Sequence, residues 1–139
     1  MLNEMAVMRD ICASCGEKVD IHVKQYIVND TIAWSEAYSC TKCGNEVVSD
    51  DWGDPTPNEV RKAILEQEGE WEFFVLKPVE NKAQILKNLR SALNLTLQGA
   101  SSLLKKIPGV LMVGTFQEML LLKKLLALPD ENITINRTK

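Results

Sequence analysis

The chain has 139 residues, 45% of them hydrophobic and 25% charged, with a formal net charge of −3. That is room for one ordinary domain or two very small ones, and it is too hydrophobic for a disordered chain. No apolar run reaches the roughly 18 residues of a membrane span, and the start, Met1 to Asp10, has no basic segment leading into an apolar one, so no span and no secretory signal are predicted and a cytoplasmic setting is expected.

The modest net charge hides an asymmetry. Residues 1–69 hold 6 Lys and Arg against 13 Asp and Glu, whereas residues 70–139 hold 10 against 6. Two units with different surfaces are predicted, and the acidic first half makes nucleic acid an improbable partner there, because phosphate contact needs Lys and Arg.

The four cysteines fall early, as Cys12-Ala-Ser-Cys15-Gly16 and Cys40-Thr-Lys-Cys43-Gly44. Two thiolates three positions apart on a tight turn can face one ion, and the following glycine allows the positive φ that turns amides toward the sulfurs. Two such knuckles close a tetrahedral four-sulfur site, for which structural zinc is the expected ion. An iron site of the rubredoxin type uses the same spacing, and two disulfides would need an oxidising compartment. A site closed by four sulfurs leaves no position for water or substrate, so it stabilises and does not catalyse.

Between the knuckles, Val19 to Lys24 alternates apolar and polar, Tyr26 to Val28 continues, Asn29-Asp30 signals a turn, and Thr31 to Trp34 resumes. Hairpins joining two knuckles make a zinc ribbon, predicted over 1–55. His22, the single histidine, shares a strand face with Asp20 and Lys24 and is expected to face solvent.

Ser49 to Pro57 reads as a loop. Its acids Asp50, Asp51 and Asp54 lack the further oxygen ligands and the terminal Glu of a calcium loop, so a solvated acidic loop is expected. Trp52 is either a lid on the ribbon or an aromatic anchor for a partner. Thr56-Pro57-Asn58-Glu59 reads as a capping box that opens a linking helix, 56–69, ended by Gly69.

From Trp71 the pattern predicts a strand to Leu76, a helix from Lys82 to Leu93, and a second helix capped by Thr96 and carried to Ile107. Then come a buried strand Val110 to Val113, a helix opened by the Thr115–Glu118 capping box and running to about Leu128, and an edge strand Ile133 to Ile135. The order is β-α-α-β-α-β, and the whole chain is predicted to be α+β. Leu120, Leu121, Leu122, Leu125, Leu126 and Leu128 cover more than one helical face, so either intramolecular burial or a homo-oligomer contact follows.

The stretch Ile85-Leu86-Lys87-Asn88-Leu89-Arg90, with Leu95 to Ala100, Leu103, Pro108, Val110-Leu111 and Gly114, resembles the C-terminal domain of the bacterial large-subunit ribosomal stalk protein. The likeness covers roughly 71–137. It implies, over 70–139, a three-stranded antiparallel sheet with three helices on one face. In that family the first two helices recruit translational GTPases, and Lys87 and Arg90 match positions of that surface. Asn94 to Ser101 departs from the family's basic and Gly-rich pattern, losing its glycines, lysines and glutamate.

No nucleophile with a base, open metal position or phosphate-binding glycine loop is legible. A non-enzymatic binding protein is therefore expected: an acidic module of the bacterial immunity or antitoxin type, meeting a basic toxin through Asp50, Asp51, Trp52 and Asp54. The alternatives are a translation- or ribosome-associated factor acting through Lys87 and Arg90, and a zinc-ribbon transcription regulator. An adaptor that presents clients to a protease is a variant of the first.

Overall fold

The computed structural model describes residues 6–53 and 55–138. The chain divides into two compact units, Met1–Gly69 and Glu70–Lys139. Among the described residues no helix is long and apolar enough to cross a membrane.

In the first unit β1 (Ala6–Ile11), β2 (Lys18–Val28), β3 (Thr31–Ser39) and β4 (Glu46–Trp52) form an antiparallel sheet in sequence order. Period-two patterning builds β2: Val19, Ile21, Val23 and Gln25 are buried, and Lys18, Asp20 and His22 are exposed. Asn29 and Asp30 adopt φ of 49° and 61°, the two consecutive left-handed residues that join strands without splaying them. The Thr31 hydroxyl donates to the Val28 carbonyl at 2.7 Å and tightens that turn.

The helix α1 (Asn58–Glu68) belongs to this first unit. Val60 and Ile64, one turn apart, pack with Ala6, Val19, Ile21, Val23 and the two buried cysteines. The Gln67 side chain also accepts from the Val7 N–H at 2.9 Å and donates to the Val7 carbonyl at 2.6 Å. It thereby imitates a neighbouring strand along the edge of β1.

Two local expectations are corrected here. The capping box does not form: α1 begins at Asn58 with Pro57 as its cap residue and no side-chain cap. The Thr56 hydroxyl instead accepts from the Gln25 amide at 3.0 Å. Gln25 is buried and needs a partner, whereas water can satisfy an exposed helix end. Nor are Ser49, Asp50, Asp51 and Trp52 a loop, because they are paired with β3 as part of β4. All residues of β4 except Val47 are exposed, so neither face imposes an apolar alternation that the sequence could display.

In the second unit the elements follow as β5 (Trp71–Val75), α2 (Lys82–Leu93), α3 (Leu97–Leu104), β6 (Gly109–Gly114), α4 (Phe116–Leu126), a single 3-10 turn (Asp130–Asn132) and β7 (Ile133–Arg137). The sheet is antiparallel with the order β6-β5-β7. Phe73, Val75, Leu111 and Ile133 from the strands meet Ile85 and Leu89 of α2, Ala100 of α3 and Met119, Leu122 and Leu126 of α4 in one buried cluster. Thr115 opens α4 with the capping box: its hydroxyl accepts from Glu118 N at 3.2 Å, and the Glu118 carboxylate accepts from Thr115 N at 3.0 Å. Helix α3 stops at Leu104 and not at Ile107, consistent with Pro108 disfavouring helical backbone at the residue before it. On α4, Leu122 and Leu126 are buried and Leu120, Leu121 and Leu125 half-buried; beyond it, Leu128 is buried.

Candidate metal centre

In a four-stranded meander the β1–β2 and β3–β4 connections lie at the same end of the sheet. Each carries one knuckle, so β2, its turn and β3 are the excursion that separates Cys15 from Cys40. The knuckles have the same backbone. Cys12 N donates to Glu17 O at 2.7 Å and Gly16 N to Cys12 O at 2.9 Å; Cys40 N donates to Asn45 O at 2.8 Å and Gly44 N to Cys40 O at 2.9 Å. Gly16 and Gly44 sit at φ of 77° and 78°, where a side chain would be strained.

The four sulfurs lie within 4.8 Å of one another. Cys12 and Cys43 are 3.7 Å apart, and Cys15 and Cys40 are 3.6 Å apart. A tetrahedron of metal–sulfur bonds of about 2.3 Å has edges of about 3.8 Å, so these two separations match its edges and the four thiols are close enough together to hold one ion. The same distances are far beyond the ~2.05 Å of a disulfide, and all four cysteines are free. Cys12 and Cys40 are buried, while Cys15 and Cys43 reach the surface.

The thiols are unequal in a regular way. Cys12 is pulled down to about 6, first by the backbone amide of Cys15, with the Ser14 amide and the Cys43 and Cys15 thiols adding to it. Cys40 is lowered likewise, first by the Cys43 amide and then by that of Lys42. For Cys15 the Glu17 amide favours the thiolate, but desolvation and the Cys40, Cys43 and Cys12 thiols push it up to about 12. Cys43 is also raised: the Asn45 amide is outweighed by desolvation and the Cys12 and Cys40 thiols. The thiolate is thus favoured at the leading cysteine of each knuckle and disfavoured at the second. A divalent cation favours the deprotonated form of all four and relieves the crowding of sulfur charge.

Two side chains that the spacing rule did not reveal support the centre. The Tyr38 hydroxyl accepts from Ala13 N at 3.1 Å and lies 4.0 Å from Cys12 Sγ, and Asn45 Nδ2 lies at the same distance from that sulfur. Both belong to the second knuckle's flanks and reach across to the first. Tyr38 lies two residues before Cys40, and Asn45 occupies the position that Glu17 holds in the first knuckle. That correspondence was the available signal.

The other expected site residues are dispersed. Asp50 and Trp52 share the sheet face turned away from α1, in register with Lys24 and Tyr26, whereas Asp51 projects from the opposite face. Asp50 accepts from the Tyr26 hydroxyl at 3.3 Å, and Trp52 is 61% exposed. The expected grouping of Asp50 with Asp51 is therefore divided by the strand period, and Asp54 lies outside the described residues. His22 is exposed. In the second unit Lys87 and Arg90 are exposed on α2 and border a shallow concavity of about 410 Å³ with Leu86, Leu95 and Leu97.

No protein-family model matches the chain, and no curated protein matches it.

Proposed function

We propose that the chain is a non-enzymatic zinc-ribbon interaction module, in which Cys12, Cys15, Cys40 and Cys43 hold zinc as scaffold and the acidic strand β4 receives a basic protein. The observation that carries this reading is the contrast between the two edges of the first sheet. The β1 edge is bracketed by Gln67, whereas β4 is exposed along almost its whole length and bears Glu46, Asp50, Asp51 and Trp52. An acidic edge repels its own copy and attracts a cationic strand, and an exposed tryptophan among acids is a suitable anchor. The first half's excess of acids steers such a partner during approach. Neutralisation of a basic toxin by a bacterial immunity-type protein fits that arrangement.

The test is affinity capture from the native host with the zinc-loaded full chain. A basic protein recovered by the wild type and lost with Asp50→Lys/Asp51→Lys supports the reading. Capture unchanged by the charge reversal refutes it.

A second reading, a translation-associated factor, is favoured by the second unit. Its β-α-α-β-α-β order and three-stranded sheet support the likeness to the ribosomal stalk domain, and the Lys87–Arg90 concavity has Leu97, 56% exposed, at its rim. Co-sedimentation with ribosomes that disappears with Lys87→Glu/Arg90→Glu would favour it over the first.

A further inference from the structure

Strand β6 is an edge of the second sheet and reads Gly-Val-Leu-Met-Val-Gly, with no charge and no proline to discourage another strand. The opposite edge, β7, carries Asn136 and Arg137. Among the described residues, β5 is the only strand paired with β6. The exposed large apolar side chains of this unit are Leu76, Leu97, Val110 and Val113, and two of these four lie on β6. None lies on α4, so the leucine-rich helix is not where this unit offers apolar surface.

The sequence of β6 is nearly a palindrome about the Leu111–Met112 bond, and its two exposed positions are placed symmetrically about that bond. Val110 and Val113 are 38% and 45% exposed, while Leu111 is buried and Met112 packs against the same core. A regular strand would alternate. Here an irregular step opposite Phe73/Phe74 sends two consecutive residues to the core side. Such a step normally spoils an edge for further pairing, because a regular strand falls out of phase across it. Against its own antiparallel copy the slip cancels. Val110 then faces Val113 of the second copy, Leu111 faces Met112 and Gly109 faces Gly114, with outward residues opposite outward ones and core residues opposite core ones.

We propose that two copies of the chain associate through β6, antiparallel, about a two-fold axis normal to the sheet between Leu111 and Met112. The result is a six-stranded sheet in the order β7-β5-β6-β6-β5-β7. On its outer face Phe74 and Val110 of one copy continue into Val113 of the other, so Val110 lies between Phe74 and a valine, and Val113, opposite Glu72 in its own copy, gains an apolar neighbour on its open side. The interface is isologous, so it closes at two copies. Six residues a side is a small contact, and the association is accordingly weak and concentration-dependent.

Sedimentation equilibrium of the zinc-loaded full chain up to about 500 μM, a range suited to an interface of that size, tests this. The expected wild-type result is a rise from 15.6 kDa toward twice that mass. Val110→Lys/Val113→Lys sets lysine against lysine at both outward pairs and is expected to stay monomeric. Val110→Lys/Val113→Glu sets lysine against glutamate and is expected to dimerise again. Both variants alter exposed positions, and circular dichroism checks that each is folded. A wild type that stays monomeric throughout overturns the proposal. So does a dilysine variant that dimerises like the wild type, or a lysine–glutamate variant that behaves like the dilysine one.

Discussion

Removing the metal should unfold the first unit and leave the second intact. Among the described residues, the large aliphatic side chains of the first unit's cluster that are at least nine-tenths buried are Val19, Ile21, Val23, Val60 and Ile64. At about 1.5–3 kcal/mol for each fully buried side chain, these five contribute roughly 8–15 kcal/mol. A structural four-ligand zinc site contributes about 10–16 kcal/mol in apparent terms near neutral pH. The ion therefore contributes about as much as these five side chains together, and a marginally stable unit of this size cannot lose a term that large and stay folded. The second unit holds twelve buried apolar side chains in one cluster and no cysteine, so it has no such dependence. Hydrogen exchange on the full chain reads this directly. With a strong chelator and reductant, or with Cys40→Ser, amides of β2 and β3 should exchange as freely as in an unfolded chain, while those of β5 and α4 keep their protection. Protection of β2 and β3 that survives verified metal removal would show that packing alone holds the ribbon, and the reasoning would be wrong.

Metal affinity should fall as pH falls. The ion displaces a proton from Cys15, whose thiol is held up at about 12, and Cys43 is raised in the same direction, so chelator competition at pH 7 and pH 8 should differ by at least about tenfold in favour of the higher pH. Tyr38→Phe removes the hydroxyl that accepts from Ala13 N and reaches Cys12 Sγ; stopped-flow transfer of the metal to a chelator should be at least about tenfold faster, with the circular dichroism spectrum unchanged. Thr115→Ala removes the hydroxyl that accepts from Glu118 N, the side-chain half of the α4 capping box, and should cost about 1 kcal/mol in urea unfolding of the second unit, without altering metal binding.

The features legible in the sequence are those whose signal is local. The Cys-x-x-Cys-Gly spacing, the Asn29-Asp30 turn and the Thr115–Glu118 box each sit within a few residues, and each has one geometry that suits it. Lys82–Leu93 was readable because Ile85 and Leu89 fall on one face and both are buried. What escaped depends on distant partners. Thr56 looks like a helix cap, but Gln25, 31 residues away, takes its hydroxyl. The segment at 58–68 looks like a connector, yet Val60 and Ile64 find their cover on β1 and β2. Strand β4 is invisible to period-two reasoning because no layer covers either face. Tyr38 and Asn45 carry no motif, and only the meander brings them to the opposite knuckle.

X-ray absorption at the metal edge of the purified, reduced full chain is the most direct test of the central claim. One zinc ion per chain with four sulfur neighbours at about 2.3 Å, and no oxygen or nitrogen in its shell, is the predicted spectrum. A first shell containing a water oxygen or a nitrogen, or fewer than four sulfurs, would mean an open centre, and a purely structural role for Cys12, Cys15, Cys40 and Cys43 would be contradicted.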